Sequence, residues 1–169
     1  MGLDMYLTRK TYFYNGVASA PWNEGITITN NPYGIEAVRV SEISEEVGYW
    51  RKFNALHKWF VDTCQDGKDD CSTHYVSREH LEDLVDTLKT ITENNPIPKD
   101  ETDPSGGDYF AKEMLPTSSG FFFGSTNYDK NYFSDVQDTL ALITALLEED
   151  YQREISGRGN QHFSYRSSW

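Results

Sequence analysis

Alternating hydrophobic and polar positions predict several β-strands in this chain. The segment 3–13, LDMYLTRKTYF, is aromatic and partly alternating, which predicts a strand that begins almost at the N-terminus. The shorter runs 25–29 and 37–43 alternate more cleanly and lie next to turn-forming residues. The end of the chain, 161–169, alternates enough to predict a final strand.

Hydrophobic residues repeat with the period of a helix in the segment 45–64, which is also rich in aromatic and cationic side chains. We predict a helix that begins after about residue 48 and ends near Cys64, with Ser44 or Asn54 as its cap. Its buried stripe has the spacing i, i+3, i+4, i+7, i+8 and i+11. The residues of this stripe are Phe53, Leu56, His57, Phe60, Val61 and Cys64.

Two further helices are predicted in the second half of the chain. Ser77 has the properties of an N-cap for a helix that ends before Pro96. The capping box Ser134–Gln137 predicts the start of a third helix. The residues between these helices, 93–119, have no period and predict a mobile loop or lid, and 120–126 (GFFFGST) predicts a short buried strand.

Together these elements predict an α+β fold with an antiparallel sheet and three main helices. The 169 residues suit one domain, 1–169, because a chain of this length buries a sufficient core.

The charge distribution limits the partners. The net charge is −12, and residues 92–150 alone hold 3 basic and 12 acidic side chains. Such a field repels nucleic-acid backbones, so we predict no direct nucleic-acid binding and, as one option, a basic protein partner. The chain has two cysteines, no apolar leader and no apolar run of about 18 residues, which favours a protein of the cytoplasm without membrane contact. The oligomeric state stays open.

The predicted first helix carries the main candidate ligand-binding residues. Cationic and amide groups bind phosphate or carboxylate, and aromatic rings stack on planar ligands. The candidates are Tyr49, Trp50, Arg51, Lys52, Asn54 and His57. The alternative is an ordinary amphipathic helix with one solvated face. His57 is the sharpest candidate because it lies on the apolar stripe, where it needs either a buried partner or a pocket.

A second group of candidates flanks the three phenylalanines. Ser118, Ser119 and Ser125 offer hydroxyls and backbone amides that suit an anion. The alternative is structural, with the phenylalanines in the core.

Metal and nucleophile sites have weaker support. Asp66, Asp69 and Asp70 lack the spacing of a calcium loop, and Cys64 lacks a zinc motif. We therefore predict no metal, no cofactor and no catalytic residue. A hydrolase that uses His57 with Asp66 or Asp70 is the third functional alternative.

Five segments in one order carry a resemblance that spans nearly the whole chain. They are MGLDMYL, EVGYWRKFNALHKWF, YVSREHLEDL, LPTSSGFFFGSTNYD and the ending SSW. With them the chain resembles a family of small uncharacterised proteins of tailed bacteriophages and bacterial genomes. The resemblance implies a phage-type origin, and the analogy with phage accessory proteins of this size predicts an action against host defence in the host cell cytoplasm.

Two functions follow from these observations as hypotheses. The first is binding of a small anionic ligand, with a nucleotide among the candidates, so that a host defence signal is sequestered. The second is an acidic phosphate mimic that inhibits a host nuclease or another defence enzyme through its carboxylates at 100–150.

Overall fold

The computed structural model describes residues 2–12, 42–95, 108–155 and 160–169. The strand predicted at 25–29 and most of the one predicted at 37–43 lie outside these ranges. The elements in chain order are β1 (Asp4–Tyr12), β2 (Glu42–Arg51), α1 (Asn54–Cys64), β3 (His74–Val76), α2 (Arg78–Asn94), α3 (Tyr109–Met114), α4 (Lys130–Ile155) and β4 (Asn160–Ser168).

The four strands form one antiparallel sheet in the order β2-β1-β4-β3. Between Leu7 and Thr8 the pairing with β2 shifts from Gly48 to Glu46, so Val47 is a bulged residue without a partner on β1. The predicted fold class is confirmed: the sheet is antiparallel, and α1, α2 and α4 are the three main helices. The predicted strands at both ends of the chain are confirmed as β1 and β4.

The sheet has a covered face and an open face, which follow from the alternation of side chains along a strand. On β1, Met5, Leu7, Arg9 and Thr11 point to the covered face and are buried. Their neighbours on the core side include Trp50 of β2, Phe60 of α1 and Phe163 of β4. The remaining β1 side chains lie on the open face and are half-buried.

Residues Tyr49, Trp50 and Arg51 belong to strand β2, so the prediction that the helix begins after residue 48 is wrong. Helix α1 begins at Asn54, and neither predicted cap is used, because Phe53 occupies the cap position without a side-chain hydrogen bond. Gly48 explains the close packing here, since a Cβ at Gly48 would lie 2.5 Å from the Trp50 ring.

Three other predictions in the second half need correction. Residues 120–126 form a turn, and Phe121 is 93% exposed, so this segment is not a buried strand. Part of the predicted loop 93–119 is helical, because α3 buries Ala111 in the core. Helix α4 begins at Lys130, before the capping box at Ser134. The cap of α2 at Ser77 is confirmed.

Candidate functional site

The Asn54 side chain joins the start of α1 to the segment 117–127. Its Nδ2 donates hydrogen bonds to the carbonyl oxygens of Phe123 (3.0 Å) and Ser125 (2.7 Å). Its Oδ1 accepts from the backbone N–H of Ser118 (2.9 Å). Asn54 is 2% exposed, and only an amide offers donors and an acceptor on so short a side chain. The contacts of Asn54 are therefore structural, and they fix the backbone of 117–127.

The segment 117–127, the turn between β2 and α1, and the start of α4 enclose a pocket of about 210 Å³, which we call the clasp pocket. Most of its lining residues carry polar or charged side chains. The residues are Arg51, Lys52, Phe53, Asn54, Thr117, Gly124, Ser125, Asn127, Asp129, Asn131, Tyr132 and Asp135. The structure thus brings four of the predicted residues to one pocket, namely Arg51, Lys52, Asn54 and Ser125.

Two cations line one side of the clasp pocket. The Arg51 side chain is more than half exposed, and its Nη1 lies 3.6 Å from Asp4, which is a loose contact. Lys52 has a left-handed backbone (φ 62°), which is uncommon outside glycine. Within the described ranges Lys52 forms no ion pair. Gly124 (φ 88°) approaches Lys52 so closely that an added Cβ would lie 3.0 Å from the Lys52 Cβ.

Two carboxylates of α4 line the other side. Asp129 Oδ1 accepts from the backbone N–H groups of Asn131 (3.0 Å) and Tyr132 (3.1 Å), which makes Asp129 the true cap of α4. Asp135 lies almost two turns further along the helix. Burial, together with the charges of Asp138 and Asp129, raises the pKa of Asp135 to about 6.

His57 does not line the clasp pocket but lies in a buried network about one turn further along α1. It is 1% exposed, and its Nε2 lies 2.9 Å from Asp69 Oδ2 while its Nδ1 lies 2.8 Å from the Tyr165 hydroxyl. Because a carboxylate only accepts, Nε2 donates to Asp69 and Nδ1 accepts from Tyr165. Trp169 Nε1 also donates to Asp69 (3.1 Å), so this network ties the chain end to α1.

The other predicted ligand-binding residues are dispersed. Trp50 is in the core, where its Nε1 donates to Thr139 Oγ1 (2.9 Å). Tyr49 lies on the open face of the sheet and donates to Asp4 (2.6 Å). Ser118 contributes its backbone N–H to Asn54, and Ser119 is exposed beside the pocket without lining it.

The candidates for metal and thiol chemistry are placed in structural contacts. Burial raises the pKa of the Cys64 thiol to about 12, which suits a packing group and not a nucleophile. Asp70 contacts His74 (3.1 Å), and the His57 partner is Asp69, not Asp66 or Asp70 as the hydrolase hypothesis required. Over the described ranges, no group of three or more His, Cys, Asp or Glu side chains could hold a metal ion.

Sequence reasoning missed the α4 half of the pocket. The charge pattern identifies Asp129 and Asp135 only as members of the acidic segment 92–150, although Asp129 directly precedes a helical pattern. An Asp followed by helix-forming residues is a cap signal, and it competed with the capping box five residues later. For Asp135 no local signal exists, because its burial depends on the segment 117–127.

Comparisons with known proteins add no relatives to this geometry. No protein-family model, no curated protein and no solved structure matches the chain. The resemblance to the phage family therefore stays a prediction. In the described parts of the chain, every helix is too short or too polar to span a bilayer.

Proposed function

We propose that the protein binds a small anionic ligand in the clasp pocket, and that the ligand offers hydroxyl groups as well as a negative charge. The observation that carries this proposal is that Arg51 and Lys52, from the turn between β2 and α1, line the same pocket as Asp129 and Asp135, from the start of α4. A phosphate group suits the cations, whereas sugar hydroxyls donate well to carboxylates.

The size of the pocket restricts the ligand. About 210 Å³ corresponds to the volume of about seven water molecules. This is below the range of about 300–1,000 Å³ for pockets that enclose a drug-sized molecule. A sugar phosphate fits this description, and a nucleotide would be enclosed only at its sugar and phosphate.

The backbone of Lys52 gives independent support. A left-handed backbone is unfavourable by about 1–2 kcal/mol for residues with a Cβ, and glycine would relieve it. Strained residues of this kind cluster at ligand-binding positions. We infer that Lys52 is present for its ammonium group.

The first test is calorimetric titration with ribose 5-phosphate and with inorganic phosphate. We expect ribose 5-phosphate to bind in the micromolar to millimolar range and phosphate to bind more weakly, since it lacks the hydroxyls. Arg51→Ala should weaken ribose 5-phosphate binding by about tenfold, because a charge-assisted hydrogen bond at a half-exposed site contributes at least ~1.4 kcal/mol. Lys58→Ala is the matched control, since Lys58 is an exposed cation of α1 that pairs with Asp62 outside the pocket.

Lys52→Gly separates strain from recognition. We expect this variant to unfold at a higher temperature, with a gain of about 1 kcal/mol from the relieved backbone, and to bind ribose 5-phosphate more weakly. Equal weakening by Lys58→Ala, or no binding of either probe, would refute the proposal.

Sequestration of a nucleotide signal is the biological role that we propose for this binding. Mass spectrometry of small molecules that co-purify with the natively isolated protein tests it. A stoichiometric phosphorylated compound supports this role, and a stoichiometric host protein in its place supports the acidic-inhibitor alternative.

That alternative, the phosphate mimic, depends on carboxylates at 100–150. Asp100, Glu101 and Asp103 lie outside the described residues, and Asp108 is paired with Lys112 at 2.6 Å. Neutralising these four carboxylates together should slow association with a basic target and leave ribose 5-phosphate binding unchanged. Loss of defence inhibition in cells only in this variant, and not in Arg51→Ala, would favour the inhibitor.

A further inference from the structure

The open face of the sheet carries a second concave surface, far from the clasp pocket. It is a groove of about 460 Å³ that runs across β1, β4 and β3. We call it the sheet groove. Its lining residues are Lys10, Tyr12, Thr73, His74, Tyr75, His162, Phe163 and Ser164.

Aromatic rings form the walls of the sheet groove. Tyr12 and His162 meet edge to face with 5.4 Å between their centroids, and Tyr75 is tilted against His162 at 6.1 Å. Tyr75 is 60% exposed, which leaves most of its ring free to contact a ligand. The His162 ring lies between Tyr12 and Tyr75, and the residue opposite Tyr75 on β4 is the small Ser164.

The spacing of the strands suits a flat molecule. β1 and β3 flank β4, so their side chains stand about 10 Å apart at ~4.8 Å per strand. A planar ring stacked on Tyr75 occupies part of that width, and its edge contacts His162. Such offset-stacked and edge contacts are the preferred arrangements of aromatic groups.

The charges of the sheet groove favour an anion. Lys10 lines it, and none of its eight lining residues is acidic, in a chain of net charge −12. Two carboxylates stand beside these groups: Glu42 lies 2.9 Å from Lys10, and Asp70 lies 3.1 Å from His74. The hydrogen bond that Lys10 donates to Glu42 raises the pKa of Lys10, which keeps the ammonium group charged.

The sheet groove is separate from the clasp pocket. Asp4, the partner of Arg51, and Lys10 are six residues apart on β1, which at ~3.3 Å per residue is about 20 Å. Variants of one site therefore leave the other intact.

From these observations we propose that the sheet groove binds a free planar heterocycle with an anionic group, such as a purine nucleoside monophosphate. The ring stacks on Tyr75, and the phosphate contacts Lys10, whose partner on β4 is His162. The ligand is a free molecule and not a nucleic-acid strand, because the overall negative field opposes a polyanion more strongly than a single phosphate.

The test compares AMP, adenosine and ribose 5-phosphate by NMR titration of the full chain. We expect AMP to shift the His162 and Tyr75 signals, adenosine to shift them with weaker affinity, and ribose 5-phosphate to leave them in place. Tyr75→Ala should weaken AMP binding at these signals by about tenfold, the usual effect of losing one stacking ring. Lys10→Ala should weaken AMP binding but not adenosine binding.

Tyr49→Ala is the matched control, because Tyr49 is a half-exposed tyrosine of the same sheet face that does not line the sheet groove. The inference is overturned if AMP leaves the His162 signal unmoved at about 1 mM, or if Tyr49→Ala weakens binding as much as Tyr75→Ala. Equal affinity for AMP and adenosine would show that the phosphate contributes nothing to binding, and would overturn the proposal that the ligand is an anion. If a single-stranded RNA of about ten nucleotides binds more tightly than AMP, the proposal that the ligand is a free small molecule is overturned.

Discussion

Two charged regions at the edges of the core differ in whether their charges are already paired. In the first, Arg9 is 3% exposed and forms ion pairs with two carboxylates. Its Nε and Nη2 donate to Glu45 (2.9 and 3.1 Å), and its Nη1 donates to Glu149 (3.0 Å). In the second, the clasp pocket, Lys52 lacks an ion pair within the described ranges and Asp135 has a raised pKa. The first arrangement stabilises the fold, and the second is the one to which we assign the proposed ligand.

The neighbours of these groups explain the difference. Glu149 approaches Arg9 from α4, so the pair joins that helix to β1 and β2, and the hydrogen bond from Arg9 lowers the pKa of Glu149. In the clasp pocket Arg51 has only the loose contact with Asp4, and within the described ranges neither Asp129 nor Asp135 forms an ion pair. Charges that no protein group neutralises at close range destabilise the fold unless a ligand meets them.

The largest expected effect is that of Arg9→Ala. Removing this buried cation leaves Glu45 without its ion-pair partner and Glu149 with Arg153 alone, and it opens a cavity, so we expect the free energy of unfolding to fall by about 3 kcal/mol. Arg51→Ala, the same change at a half-exposed position, should alter it by at most about 0.5 kcal/mol. Urea denaturation of the two variants measures both values. Equal losses would contradict the distinction between the two regions.

Asn54→Ala tests the framework of the clasp pocket and should have the second-largest effect. The change leaves the carbonyls of Phe123 and Ser125 and the N–H of Ser118 without their partner, at an expected loss of about 2 kcal/mol. Hydrogen exchange at the Ser118 amide should accelerate together with this loss. Asn131→Ala is the control, because Asn131 is an exposed pocket residue whose side chain supports no backbone group.

The sequence pattern predicted those elements that are determined by residues close to them in the chain. The alternation of β1 and β4, the stripe from Phe53 to Cys64 and the Ser77 cap all lie within a few residues of what they determine. The fold class could therefore be predicted. The prediction of a helix at residues 49–51 is wrong because Tyr and Trp prefer strands, and these residues pair with β1.

Long-range contacts determine what the sequence could not predict. The turn at Phe121 depends on Asn54, which is about seventy residues away and holds the carbonyls on both sides of Gly124. His57 was expected to have either a buried partner or a pocket. It has buried contacts with Asp69 and with Tyr165, and Tyr165 lies on the last strand. Neither contact has a signal in the local pattern of either segment.

The smallest expected effect is a gain in stability. Asp135→Asn removes a charge that burial and the neighbouring carboxylates oppose, and the Asp135 pKa of about 6 exceeds its unfolded value of 3.8. A shift of about two units corresponds to about 3 kcal/mol, which partial exposure reduces to about 1 kcal/mol. We therefore expect this variant to be more stable than the native chain by about 1 kcal/mol at pH 7, with weaker binding of ribose 5-phosphate.

The pH dependence gives this prediction its sign. Between pH 6 and 3.8 the folded chain binds the Asp135 proton more tightly than the unfolded chain, so this group makes the native chain more stable as the pH falls. The advantage of Asp135→Asn should be complete above pH 6 and should vanish near pH 4, where the native carboxyl is already protonated. Thermal unfolding at several pH values measures the difference between the two chains. An advantage that stayed constant from pH 7 to pH 4 would mean that Asp135 is not an opposed charge, and the contrast with Arg9 would fail.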